Sequence, residues 1–178
     1  MTEFTFADRP DDDRLKLTLA AYTTMTDPEA ASLFLDFQWT FREMQAAYEN
    51  VLARYELSES KFILLMFLDN EPSHALLPSE LATKLGASRA TVSKLLVGME
   101  RSGWITKDHV LADKRAVLIR LTDAGRAVLT AFLPENFRAV ATIFSNFSTE
   151  ERAQLTRLLN KVKQGTTQLN DKRGLENE

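Results

Sequence analysis

The stretch PSELATKLGASRATVSKLLVGMERSG, residues 78–103, decides the fold. Pro78 suits the first position of a helix, where its missing N–H has no partner in any case. Gly86 ends that helix, Ser88 caps the next, and the second helix runs to about Gly103. Two helices joined by so short a turn cross steeply, and each residue type at the crossing has a reason. Ala82 is small at the contact, Gly86 adopts the left-handed turn cheaply, and Val92 locks the second helix against the first. Leu81 and Leu85 complete the near side; Leu95, Leu96 and Met99 complete the far side.

The second helix therefore has two faces. Val92, Leu95, Leu96 and Met99 point inward at i, i+3, i+4 and i+7. Ser88, Arg89, Ala90, Thr91, Ser93 and Lys94 are left outward near its N-terminus. A helix-turn-helix presents this part of its second helix to base edges in the major groove. Small residues let the helix sit deep, Arg pairs with guanine edges, and Ser and Thr meet bases or phosphates. These residues are the candidate DNA-binding set. A plain helical hairpin with a polar face would share this pattern, so the following segment matters.

That segment reads as a β-hairpin. Trp104–Val110 and Val117–Leu121 are two strands joined by a polar loop, with Val117, Ile119 and Leu121 alternating onto one face. The loop tip is Ala112-Asp113-Lys114-Arg115-Ala116. A hairpin directly after a recognition helix is a wing. Lys114 and Arg115 suit the adjacent minor groove or its phosphates, and Asp113 is expected to hold the loop through an ion pair so that Arg115 points outward.

The charge distribution agrees. From Pro72 to Leu121 there are eight basic residues and four acidic ones, a local charge of +4. The whole chain carries −3, so the rest carries −7. A basic middle between acidic flanks marks one surface for a polyanion, although uneven solvation alone would give the same count.

At this point the sequence resembles the MarR family of bacterial regulators. The resemblance lies in Leu81-Ala82-x-x-Leu85-Gly86, Ser88-x-x-Thr91-Val92-Ser93-x-Leu95, Met99-Glu100-x-x-Gly103-Trp104-Ile105, and Asp113-x-Arg115 leading to Leu121-Thr122-x-x-Gly125. It covers about residues 77–125, and Asp-x-Arg is its more family-specific part. It implies a homodimer with interleaved N- and C-terminal helices, a pseudo-palindromic operator, and release by a small, frequently aromatic ligand. Two departures stand out: a longer segment before Asp27, and the apolar run His109-Val110-Leu111-Ala112 before the wing tip.

The flanks read as helices. Residues 1–26 form an extension, with a short helix expected over Asp13–Met25 carrying Leu15, Leu19 and Tyr22 on one face. Asp27-Pro28-Glu29 starts a long helix. Its stripe of Phe34, Phe37, Phe41, Met44, Tyr48, Val51 and Tyr55 is a seam for another helix, partly inside the chain and partly across a dimer. Ser58 opens the next helix, which stops at Asn70-Glu71-Pro72; Leu76-Leu77 is a brief extended piece. Thr122 begins a helix that Pro134 is expected to kink or split. Ser148 and Glu151 form a capping box for the last helix, and after Gly165 the polar sequence is expected to fray. The expected architecture is mostly α with a small β-hairpin wing. A winged lobe at 58–121 sits between dimerisation helices at 27–57 and 122–165, and a polar tail occupies 166–178.

Other features exclude more than they assign. The absence of cysteine rules out disulfides, thiolate metal sites and thiol redox sensing. The longest apolar run, Phe62–Leu68, is too short for a membrane span, and the acidic start is unlike a signal peptide, so the expected location is the cytoplasm. His74 and His109 make a weak metal pair. No glycine-rich phosphate loop and no nucleophile–base arrangement is recognisable, so no enzyme activity and no cofactor are expected. Trp39, Phe41, Phe62, Phe67 and Trp104 are candidate pocket residues for a small-molecule effector, although aromatics at helical spacing are also ordinary core. The expected partners are double-stranded DNA and a second copy of the chain. A winged-helix interaction protein that binds no DNA is the competing reading, motivated by the acidic flanks.

Overall fold

Residues 13, 14, 17, 18, 21, 27–110 and 113–175 are described by a computed structural model, the side chains of 109, 110, 113–116 and 172–175 excepted. Of the helix expected over 13–25, residues 13, 14, 17, 18 and 21 are helical; Leu15, Leu19 and Tyr22 lie outside the described residues. Asp27 caps α1 (Pro28–Ala53) by accepting from the Ala30 N–H at 2.9 Å. Ser58 does the same for α2 (Glu59–Asn70). Between them Glu56 takes a positive φ of 58°, and its carbonyl accepts from Lys61 Nζ at 3.0 Å.

The next elements follow the turn chemistry. Strand β1 (Ala75–Leu76) is followed by α3 (Pro78–Leu85) and α4 (Arg89–Arg101). Glu80 reaches back to accept from the Leu77 N–H at 2.7 Å. Gly86 takes φ +66°, and the Ala87 N–H bonds the Ala82 carbonyl, closing α3 before Ser88 caps α4. Gly103 repeats the device at the end of α4, with φ +73° and the Trp104 N–H on the Met99 carbonyl.

Strands β2 (Ile105–Val110) and β3 (Asp113–Leu121) make the hairpin. The sheet has three antiparallel strands in the order β1-β3-β2, with Leu76 opposite Ile119 and Ile105 opposite Leu121. Two details differ from the sequence reading. The brief extended piece pairs through Ala75 and Leu76, because Leu77 is taken by the cap of α3. The residues read as a loop tip, Asp113–Ala116, belong to β3: a register shift at His109/Val110 brings Val110 opposite Asp113 and extends the pairing outward.

Helix α5 (Asp123–Ile143) continues without a break through Pro134. The chain divides into two compact units at this helix, Met1–Phe132 and Leu133–Glu178. In the first unit, Leu52, Leu64, Leu65, Leu68, Leu81, Val92, Leu96, Met99, Ile105, Ile119, Leu129 and Phe132 are the buried centre. Phe132, fully buried, meets Tyr55 and Phe62 edge-on at centroid distances of 5.4 and 4.9 Å. Arg126 pairs with Asp69 at 3.0 Å, tying α5 to the C-terminal end of α2, where a carboxylate alone would oppose the helix dipole. The α1 stripe is split: Tyr48, Val51 and Tyr55 pack against this core, while Phe34, Phe37 and Phe41 are exposed.

The second unit holds the end of α5 and α6 (Thr149–Leu175). The Ser148–Glu151 capping box is present in both directions, at 2.8 and 3.2 Å. The expected fraying after Gly165 is not seen; the helix runs to Leu175. One interior glycine costs about 1 kcal/mol, too little to stop a long helix. Thr166 and Thr167 hydroxyls donate back to the Val162 and Lys163 carbonyls beside it.

Candidate nucleic-acid interface

The candidate surface begins at the N-terminus of α4. Ser88 Oγ accepts from the Thr91 N–H at 3.1 Å and lies 2.8 Å from Thr91 Oγ1. Ser88 is thus engaged as the helix cap. The pair shares one hydroxyl proton internally, and the other is left to donate outward. Arg89, Ala90, Thr91, Ser93 and Lys94 are exposed, while Val92, Leu96 and Met99 are buried and Leu95 half-buried. The first turn of α4 holds no acidic residue, so the positive end of the helix dipole is uncompensated. Backbone N–H groups, two cations and a small Ala90 together suit a phosphate or a base edge.

The structure sorts the lobe's basic residues into two groups. Lys107 on β2 pairs with Glu100 on α4. Arg120 on β3 donates through Nε to Asp108 at 2.7 Å and through Nη1 to the Ser73 carbonyl at 3.0 Å. Those two cations hold the wing to its surroundings and contribute little field outward. Arg89, Lys94 and Arg101 form no ion pair among the described residues. Lys84 lies 5.9 Å from the Phe67 ring centroid. Asp113, Lys114 and Arg115 open β3, and their side chains lie outside the described residues.

The sequence pattern predicts an outward face over residues 88–94. The structure extends it: Val97 and Arg101 are also exposed. The signal was available, since 90, 94, 97 and 101 follow one another by four and three residues along one helix face.

Of the five candidate pocket aromatics, Phe62, Phe67 and Trp104 share the core of the first unit, whereas Trp39 and Phe41 are not part of it. Trp39 is half-buried with the Arg42 guanidinium 5.5 Å from its ring centroid, and Phe41 is exposed. Phe62 packs on Phe132, and Phe67 is half-buried against the core. Trp104 is 5% exposed, with Lys61 Nζ 5.2 Å from its ring centroid. Among the described residues no cluster of His, Asp and Glu could hold a metal ion, and no helix is long and apolar enough to cross a membrane.

Trp104 also explains the motif Leu121-Thr122-x-x-Gly125. The Thr122 N–H bonds the Trp104 carbonyl at 3.0 Å, and its Oγ1 donates to the Gly103 carbonyl at 2.7 Å. The same Oγ1 accepts from the Gly125 N–H at 3.1 Å, capping α5. One threonine therefore fixes the end of α4, the start of β2 and the start of α5.

The MarR family model matches residues 55–116. Over 133 residues the chain is 35% identical to the HTH-type transcriptional repressor YetL of Bacillus subtilis (strain 168), covering 75% of this chain and 80% of that protein. It is 32% identical over 117 residues to the HTH-type transcriptional regulator PecS of Dickeya dadantii (strain 3937), covering 65% and 70% respectively. The fold matches the crystal structure of Sco3205, a MarR family transcriptional regulator from Streptomyces coelicolor in complex with DNA. The TM-score is 0.70 at 23% identity, over 80% of this chain and 91% of that one. The chain belongs to the MarR family of winged helix-turn-helix transcriptional regulators.

Proposed function

We propose that this chain is a homodimeric, sequence-specific DNA-binding repressor of transcription acting in the cytoplasm on a pseudo-palindromic operator. The observation that carries the reading is the exposed N-terminal half of α4. It presents Arg89, Ala90, Thr91, Ser93 and Lys94 around an uncompensated helix terminus, capped by Ser88. In the bound state this half-helix enters the major groove, and Lys114 and Arg115 of the wing meet the neighbouring minor groove, with Asp113 orienting Arg115. The DNA complex of Sco3205 supports the mode through its shared fold.

Dimerisation is supported by apolar surface that a single chain leaves uncovered. Leu33, Phe34, Phe37 and Phe41 are exposed on α1, and Leu158, Leu159 and Val162 on α6. A second copy covers such faces. The lobe division 58–121 between helices 27–57 and 122–165 follows from this reading. Release by a small aromatic effector is part of it too, with half-buried Trp39, Phe62 and Phe67 among the pocket candidates that offer ring surface.

The test is fluorescence anisotropy of the full chain on duplex DNA from upstream of its own coding region, against a scrambled duplex, across a salt series. Arg89, Lys94, Arg101, Lys114 and Arg115, five candidate phosphate-facing cations per protomer, give a salt slope of up to about −9 for a dimer. Preferential binding with a steep slope is expected. Equal, weak binding to both duplexes contradicts the reading and turns attention to a protein partner.

A further inference from the structure

Two adjacent residues of α4 have no explanation inside the chain. Val97 is 47% exposed in the interior of the helix. A β-branched residue gains nothing there from helix propensity, and its methyl groups face water. Beside it stands Gly98, where an added Cβ would meet nothing within 4 Å. Neither packing nor a positive φ requires glycine at that position, yet glycine in a helix interior weakens it relative to alanine.

Their surroundings indicate what approaches them. Ala90, Lys94, Val97 and Arg101 lie at i, i+4, i+7 and i+11, one line along the face opposite buried Val92, Leu96 and Met99. The line places one apolar side chain between two cations that form no ion pair among the described residues. An apolar protein groove would have to desolvate Lys94 and Arg101. Duplex DNA accepts both on its phosphates and offers an apolar feature, the thymine C5-methyl, on the major-groove floor.

We propose that Val97 is a specificity-determining residue that contacts a thymine methyl group in each half-site, with the missing side chain at Gly98 leaving room for the DNA. The proposal rests on the DNA-binding reading above and extends it to the C-terminal half of the recognition helix. It assigns one required thymine to each half-site. It also makes Gly98 a position where the fold and DNA binding oppose each other.

The experiment starts from a random-sequence duplex library selected on the full-length protein. In the best selected duplex, each thymine is replaced in turn by deoxyuridine, which lacks only the methyl group. Wild type is expected to lose about fourfold in affinity at one thymine per half-site, the worth of one buried methyl group. Val97→Ala is expected to show no loss at that thymine while keeping its sensitivity elsewhere. Gly98→Ala is expected to melt at higher temperature and yet lose affinity for the same duplex. If Val97→Ala selects the same sequence with the same deoxyuridine profile, or Gly98→Ala binds as wild type does, the proposal is overturned and the DNA-binding reading stands. DNA-free association that Val97→Ala abolishes, with DNA selection unchanged, assigns the face to a second copy and overturns it also. If wild type enriches no sequence, the DNA-binding reading itself falls.

Discussion

Gly125 lies in the first turn of α5, in ordinary helical geometry, and a standard rule would make Gly125→Ala stabilising by up to about 1 kcal/mol. The structure reverses the sign. An alanine Cβ there would lie 2.2 Å from the Trp104 carbonyl oxygen, 2.8 Å from Leu121 Cδ1 and 3.0 Å from the Trp104 carbonyl carbon. The Leu121 methyl can rotate away. The carbonyl cannot, because it is backbone and accepts from the Thr122 N–H at 3.0 Å. Relief needs a shift of at least about 1.2 Å between α5 and the start of β2, to open 2.2 Å to the 3.4 Å of ordinary contact. Overpacking of this kind costs about 1–3 kcal/mol. The shift also strains the two Thr122 hydrogen bonds to Gly103 and Trp104, at about 1 kcal/mol each. With the propensity gain subtracted, the net loss is roughly 2–4 kcal/mol. The assay is urea unfolding of the full chain at fixed protein concentration, with Gly98→Ala as control. Gly98 is also helical but faces open space, so its alanine variant is expected to gain about 1 kcal/mol. Both variants moving the midpoint upward would refute the close approach on which the Leu121-Thr122-x-x-Gly125 junction rests.

Three further outcomes are expected. Arg115→Ala weakens binding to specific and scrambled duplexes alike and reduces the salt slope by about one per protomer, read by anisotropy; an unchanged slope removes Arg115 from the phosphate contacts. Phe132→Ala loses about 3–5 kcal/mol in urea unfolding, because Tyr55 and Phe62 lose their shared ring. A loss below 1 kcal/mol would mean that α5 is not anchored there. The third concerns Tyr48, whose phenol is held above the ordinary 10.0, first by burial and then by the nearby Glu59 charge. Its protonated form is favoured in the fold, so this contribution is complete below pH 10 and is lost as pH rises past it. Tyr48→Phe should therefore flatten the alkaline fall in stability, measured as the difference between variant and wild type from pH 8 to 11.

Local chemistry made much of this fold legible in the sequence. Asp27-Pro28, Ser58, Gly86, Ser88 and the Ser148–Glu151 pair act within four residues of themselves, and each stands where its residue type predicts. What escaped depends on distant partners. A two-residue strand at Ala75–Leu76 exists only because Arg120 and Ile119 lie opposite. Asp113–Ala116 read as a loop because polar residues carry no period-two signal, yet the bulge at His109/Val110 draws them into β3. Lys107 and Arg120 count toward the basic surplus of residues 72–121, whereas Glu100, Asp108 and the Ser73 carbonyl hold them. Within the candidate site, the outward half of α4 followed from its apolar period. Its extension to Val97 and Arg101 follows from the same period, carried one turn further.

The central claim is that two copies of α4 and its wing engage one duplex. Hydroxyl-radical footprinting of the library-selected duplex with the full-length protein tests it most directly. Two protected patches centred about 10 base pairs apart on one face of the DNA, each narrowed by Arg115→Ala on its minor-groove flank, are the predicted result. A single patch, or uniform protection without a preferred position, would contradict the account.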